Sequence, residues 1–224
     1  EVVEKPSFKN APSTKAVIGR YILTKTIFKK LLNQKPGKGG EIHITDAIQS
    51  LINDNEKFIE AWLEKASKFD WNDFDKIIFS YHGIPISHVD NVYPNSLCSD
   101  HDCEKQITDA NKFCYKATTY ETTKIIADKL NISSDKYIVS YQSRLFGKWL
   151  TPFTDEVIKS FAKDGHENVL IFSPAFTADC LETIIELGDE YKELFEENGG
   201  KNLDYVRSLN YSDLWVDAII DIIK

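Results

Sequence analysis

Methionine is absent from all 224 residues, position 1 included. The expectation is therefore a fragment, a processed chain or an expression product rather than a chain that starts where translation did. Cysteine is scarce. Cys98, Cys103, Cys114 and Cys180 are too few and too unevenly spread to staple a chain of this size. Lysine and arginine never run beyond a pair and the net charge is −8, which argues against a nucleic-acid surface. No apolar run approaches the roughly 18 residues of a membrane span. The opening Glu1 to Lys5 has neither the basic start nor the apolar core of a signal peptide, so cytoplasmic location is the default expectation. What remains is ordinary globular material: 42% hydrophobic and 28% charged residues exclude wholesale disorder.

The chain divides in two by character. Residues 1–52 hold an interrupted strand over Ala16 to Leu23 and a helix over Lys25 to Leu32 capped by Thr24. A glycine-rich turn over Pro36 to Gly40 follows. That turn lacks the strand-to-helix setting and the trailing Ser/Thr of a phosphate-binding loop. From Asn53 onward helices and strands alternate. Glu56 to Ala66 carries Phe58, Ile59, Trp62, Leu63 and Ala66 on one stripe. Strands are expected at Lys76 to Tyr81, Lys136 to Tyr141 and Asn168 to Ser173, with a fourth over Leu203 to Val206. Intervening helices are expected at about Thr118 to Leu130, from Thr151-Pro152 to Ala162, and at about Leu181 to Glu197. A last helix is capped by Ser212 and turns Trp215, Val216, Ile219, Ile220 and Ile223 inward. Such alternation calls for an α/β fold, a Rossmann-like parallel sheet with helices on both faces, preceded by a short α+β segment.

In an open parallel sheet the carboxyl ends of the strands face the ligand crevice. The first strand delivers His82 there, just before Gly83 and Pro85 stop it. The second delivers Ser140 to Arg144, and the third delivers Ser173 to Glu182. Either His82 only caps the strand end through a backbone hydrogen bond, or it works as a base or ligand. Asp179 and Glu182 sit in the first turn of the following helix, with Glu186 one turn on along the same face. The bland reading, acids on a helix N-terminus, accounts for Asp179. A row of acids opposite a histidine goes further, and is a path for protons or a divalent cation.

Two resemblances follow from these strings. VEKP (Val3 to Pro6), AVIGRYILT (Ala16 to Thr24) and GGEIHITDAI (Gly39 to Ile48) resemble part of a UTP–glucose-1-phosphate uridylyltransferase, which would put sugar-phosphate contacts at Glu4 and Lys5. The nucleotide loop of that family is absent, so no transferase activity is expected. FSYHGIP (Phe79 to Pro85), SYQSR (Ser140 to Arg144) with WLTPFTDE (Trp149 to Glu156), and SPAFTADCLETIIEL (Ser173 to Leu187) resemble ferrochelatase. GGKNLDYVRSLN (Gly199 to Asn210) is similar to the closing strand of that family. The second resemblance covers residues 53–224, about the C-terminal half of such an enzyme. The chain is thus expected to be chimeric, with a domain boundary between 52 and 53.

The ferrochelatase resemblance implies a lyase of heme biosynthesis that inserts Fe(II), as substrate, into protoporphyrin IX. His82 would be proton acceptor or metal contact and Glu182 the opposing carboxylate. Asp179 and Glu186 would belong to the acidic metal path. Trp149, with Tyr141 and Ser143, would contact the macrocycle. It admits peripheral membrane contact and a monomer or a homodimer. Residues 95–113 look inserted. Cys98, Cys103 and Cys114 with His101 offer four donors of the kind an iron–sulfur cluster or zinc needs, yet their spacing favours a loop of unpaired thiols. Cys180 reads either as a metal contact or as a small buried residue. The rival readings for the whole chain are a non-catalytic binding module and, third, a UTP–glucose-1-phosphate uridylyltransferase read from the first block, against which the missing nucleotide loop argues.

Overall fold

The computed structural model describes residues 55–90, 92, 102–112, 114–144 and 147–223. The block 1–52, Cys98 and His101 lie outside the described residues. At the centre is β1 (Lys76–His82), whose apolar run Ile77, Ile78 and Phe79 is buried on both faces. It pairs in parallel with β2 (Tyr137–Gln142) on one side and β3 (Asn168–Phe172) on the other. β4 (Asn202–Tyr205) completes the order β2-β1-β3-β4. An all-parallel sheet of continuous apolar strands must be covered on both sides. Its residues accordingly alternate between two cores.

One core takes Ile77, Phe79, Tyr81, Leu170 and Phe172. It is covered by α1 (Glu56–Ala66) and α3 (Tyr115–Lys129). α1 starts where the Asn55 side chain accepts the Phe58 amide at 3.0 Å, a side-chain cap for an otherwise orphaned donor. Its inner stripe holds Trp62 wholly buried, 5.2 Å from the Phe172 ring, which is stacked in turn on Phe79 at 5.2 Å. The other core takes Ile78, Val169 and Ile171, covered by Val157 and Ile158 of α4 (Thr154–Lys163) and by Leu187 and Phe195. A short α2 (Ile86–Asp90) follows β1. The last helix, α6 (Asp213–Ile223), lies on α1 through Trp215, whose ring is 5.6 Å from Phe58. Among the described residues no helix is long and apolar enough to cross a membrane.

Three local expectations are corrected. The helix after Thr151-Pro152 begins only at Thr154, with no side-chain cap on Phe153. The Pro152 carbonyl accepts the Tyr141 amide at 2.9 Å instead, which keeps that segment extended beside β2. Ser212 does not cap α6 with its side chain; its hydroxyl donates to Glu64 at 2.8 Å. The inward stripe of α6 is Leu214, Trp215 and Ala218, while Val216, Ile219 and Ile220 are 44%, 38% and 39% exposed. A helix apolar nearly all round buries only the stripe that its neighbour reaches. The long acidic helix is real but wound in two ways. Glu182–Glu190 is a π-helix in which the Tyr191 amide reaches back to the Glu186 carbonyl, and α5 (Tyr191–Glu197) continues it.

Candidate functional site

His82 is the last residue of β1 and its side chain is exposed at the carboxyl edge of the sheet. Its Nδ1 lies 2.7 Å from the Gly83 carbonyl oxygen. A carbonyl can only accept, so Nδ1 carries the hydrogen, and whenever the ring is neutral its lone pair is at Nε2. The strand-end reading and the chemical reading of His82 are therefore compatible: one nitrogen is tied to backbone and the other is left for chemistry. Tyr115, at the start of α3, donates its hydroxyl to the His82 carbonyl at 2.8 Å. Phe176 leans over the imidazole with ring centroids 6.3 Å apart.

The residue after His82 has to be small. The Gly83 amide donates to the Gln142 carbonyl at 2.6 Å. A Cβ at Gly83 would meet that oxygen at 2.9 Å and Trp149 Cε3 at 3.3 Å. Trp149 is brought there because Lys148 and Leu150 exchange backbone hydrogen bonds with Ile86 and Ile84, both 3.0 Å. The ring thus lies against the loop that leaves β1, half-buried.

Across the crevice, the two helix acids are driven in opposite directions. Glu182 is held below the ordinary carboxylate range by its own backbone amide and by the Cys180 thiol, with a smaller pull from the imidazolium form of His82. Glu186 is half-buried and pushed up by that burial. The charges of Glu190 and Glu182 push the same way, against the pull of His82 and of Tyr191, whose hydroxyl donates to Glu186 at 2.7 Å. Two carboxylates on one helix, with His82 acting on both, give an ionised group beside one that keeps a proton more readily.

Asp179 has a different setting. Its carboxylate accepts the Ser208 amide at 3.2 Å and the Asn210 side-chain amide at 3.0 Å, with Arg207 at 3.7 Å. Burial raises its pKa, but those hydrogen bonds outweigh burial and hold it low. It ties the start of the π-helix to the segment after β4. Tyr141 is 1% exposed, in the core, with its hydroxyl 3.0 Å from that of Thr119. Ser143 stands at φ +62° with its hydroxyl buried. Cys103 and Cys114 are buried in the core under α1 and α3. Among the described residues no group of three or more His, Cys, Asp or Glu is arranged to hold a metal ion. The structure thus puts Trp149 against the loop after His82 and Glu182 and Glu186 within electrostatic reach of His82, and sets Tyr141 in the core. Phe176, Tyr115 and Gln142 were assigned no role by sequence. Tyr115 acts through a backbone carbonyl 33 residues away, which leaves no sequence signal.

The chain matches the Ferrochelatase family model over residues 22–224. The ferrochelatase of Idiomarina loihiensis is 36% identical over 177 residues, 77% of this chain and 43% of the relative. That of Pseudomonas fluorescens is 35% identical over 170 residues, 74% and 50%. That of Opitutus terrae is 30% identical over 203 residues, 89% and 58%. The chain spans about half the length of the curated relatives it matches. The family match opens at residue 22, inside the block that composition and motifs set apart. This chain belongs to the ferrochelatase family.

Proposed function

We propose that this ferrochelatase-family chain carries one wall of a metal-insertion centre, the reaction being insertion of Fe(II) into protoporphyrin IX to form protoheme. The observation that carries the proposal is His82, held through Nδ1 on the Gly83 carbonyl and within electrostatic reach of a helix whose two acids differ in proton affinity. Insertion requires two pyrrole N–H protons to leave as the metal enters. His82 accepts one at Nε2. Glu182, ionised, draws the cation toward the ring nitrogens. Glu186, with its raised proton affinity, passes or holds the second proton along the same helix. The base and ligand roles of His82 use the same electron pair, so they are successive or alternative, never simultaneous.

Trp149 packs on the macrocycle, as an aromatic body with a polar handle can. Asp179 contributes by holding the π-helix in place, and Tyr141 by anchoring β2 from the core. No transferase activity is drawn from residues 1–52.

An absorbance titration of the full chain with protoporphyrin, then anaerobic Fe(II) or Zn(II), tests this. A saturable shift and metalloporphyrin formation above the protein-free rate are expected. Both His82→Ala and Glu182→Ala should abolish turnover while keeping the fold. Absence of any shift would favour the non-catalytic binding module, and turnover surviving in both variants would overturn the residue assignments.

A further inference from the structure

Below His82 on the same sheet face lies a closed polar cluster. Strand alternation puts Ile78, Ser80 and His82 on one side of β1, and Ile78 belongs to the core under α4. Ser80, Ser140 and Thr154 are wholly buried, and Gln142 and Ser173 are 2% and 3% exposed. The Ser80 hydroxyl donates to Gln142 Oε1 at 2.6 Å, and Thr154 Oγ1 lies 2.9 Å from both Ser80 and Ser140. Those contacts satisfy three hydroxyls and one end of an amide. Gln142 Nε2 and Ser173 Oγ are buried without a protein partner. Turning the amide over does not remove the first orphan, since one polar atom of Gln142 faces Ser80 either way and the other is still left.

Buried polar atoms without partners are rare, and ordered water is their usual complement. The register gives the spacing. The Gln142 side chain has crossed from β2 to Ser80 on β1. Ser173 follows Phe172, which pairs with Phe79, so Ser173 flanks Ser80 on the β3 side. Neighbouring strands are about 4.8 Å apart, and a water with two hydrogen bonds of about 2.8 Å spans partners roughly 4.5–5.5 Å apart.

We propose that Gln142 and Ser173 together bind one ordered water molecule in the floor of the crevice, below His82. The amide donates to the water, and the water and the Ser173 hydroxyl complete each other. The site is built of uncharged groups and does not depend on the reaction proposed above. It gives the crevice a fixed polar floor at the place where β1, β2 and β3 end.

Oxygen-17 magnetic relaxation dispersion on the full chain counts long-lived internal waters and tests this. Gln142→Leu and Ser173→Ala should each lose one, and the double variant should lose no more than either single one. Ser173→Ala deletes one oxygen and keeps the backbone, so it decides the matter even where Gln142→Leu does not fold. An unchanged count in folded Ser173→Ala overturns the site, as does a double variant that loses two waters, which would mean two separate ones.

Discussion

Replacing Gly83 by alanine probes the join between His82 and the rest of the crevice. Gly83 does not sit in the left-handed region, so alanine carries no backbone strain there, and the cost is steric. The new methyl would be 2.9 Å from the Gln142 carbonyl oxygen and 3.3 Å from Trp149 Cε3. The first contact is with backbone and cannot be relieved by a rotamer change. Either the ends of β1 and β2 separate or the 2.6 Å Gly83–Gln142 hydrogen bond is lost. Overpacking costs about 1–3 kcal/mol and a lost hydrogen bond about 1 kcal/mol, together about 2–4 kcal/mol. For a chain of this size each kcal/mol shifts Tm by about 2–4 °C, so a fall of roughly 4–16 °C is expected. Urea unfolding followed by tryptophan fluorescence measures it, with Gly165→Ala as control. Gly165 has φ +85° and no atom within 4 Å of its Cβ position, so its variant carries backbone strain without a clash at the crevice. A Gly83→Ala chain within about 0.5 kcal/mol of wild type would show that the β1 exit is not packed as described. So would unchanged porphyrin binding in a variant destabilised as expected.

The split between the helix acids has a pH signature. Burial raises the pKa of Glu186, so the folded state binds that proton more tightly than the unfolded one. Its stabilising effect is full below the ordinary glutamate range and is lost as pH rises through the raised value. Glu186→Gln should therefore gain stability relative to wild type between about pH 4 and pH 7, read from urea midpoints; a constant gap would refute the raised value. Asp179 has the opposite sign: its pKa is lowered by Asn210 and Ser208 against burial, so its contribution is present above the ordinary aspartate range and fades as pH falls through the lowered value. Asp179→Asn should cost about 1–3 kcal/mol at neutral pH, and a loss of metal binding with stability unchanged would make it a ligand rather than a tie. Thr154→Val removes the hydroxyl shared by Ser80 and Ser140 and should cost about 1–3 kcal/mol in chemical denaturation; a change under about 0.5 kcal/mol would mean that the cluster is loosely held.

Local pattern alone was enough for the architecture. Continuous apolar runs in the strands, apolar stripes in the helices and their alternation require a parallel sheet covered on both faces, and the strand at Lys76–His82 with His82 at its tip follows from composition and from the stop at Gly83 and Pro85. That His82 stands at the tip of β1 was legible, because Gly83 and Pro85 stop the strand there, whereas Glu182 opens the helix that follows β3. What sequence could not separate were residues of the same type in different surroundings. Asp179, Glu182 and Glu186 read as one row of acids, yet Asp179 is bound by Asn210, 31 residues later. Glu182 and Glu186 are driven apart by unequal burial. The winding of Glu182–Glu190 was hidden too, since an i→i+5 helix uses the residues of an ordinary one. Tyr115, Gln142 and Ser173 took on roles only once register set their partners. Periodicity is written along the chain, whereas desolvation and hydrogen-bond supply depend on which distant backbone and side chains close around a group, and only the tertiary structure decides that.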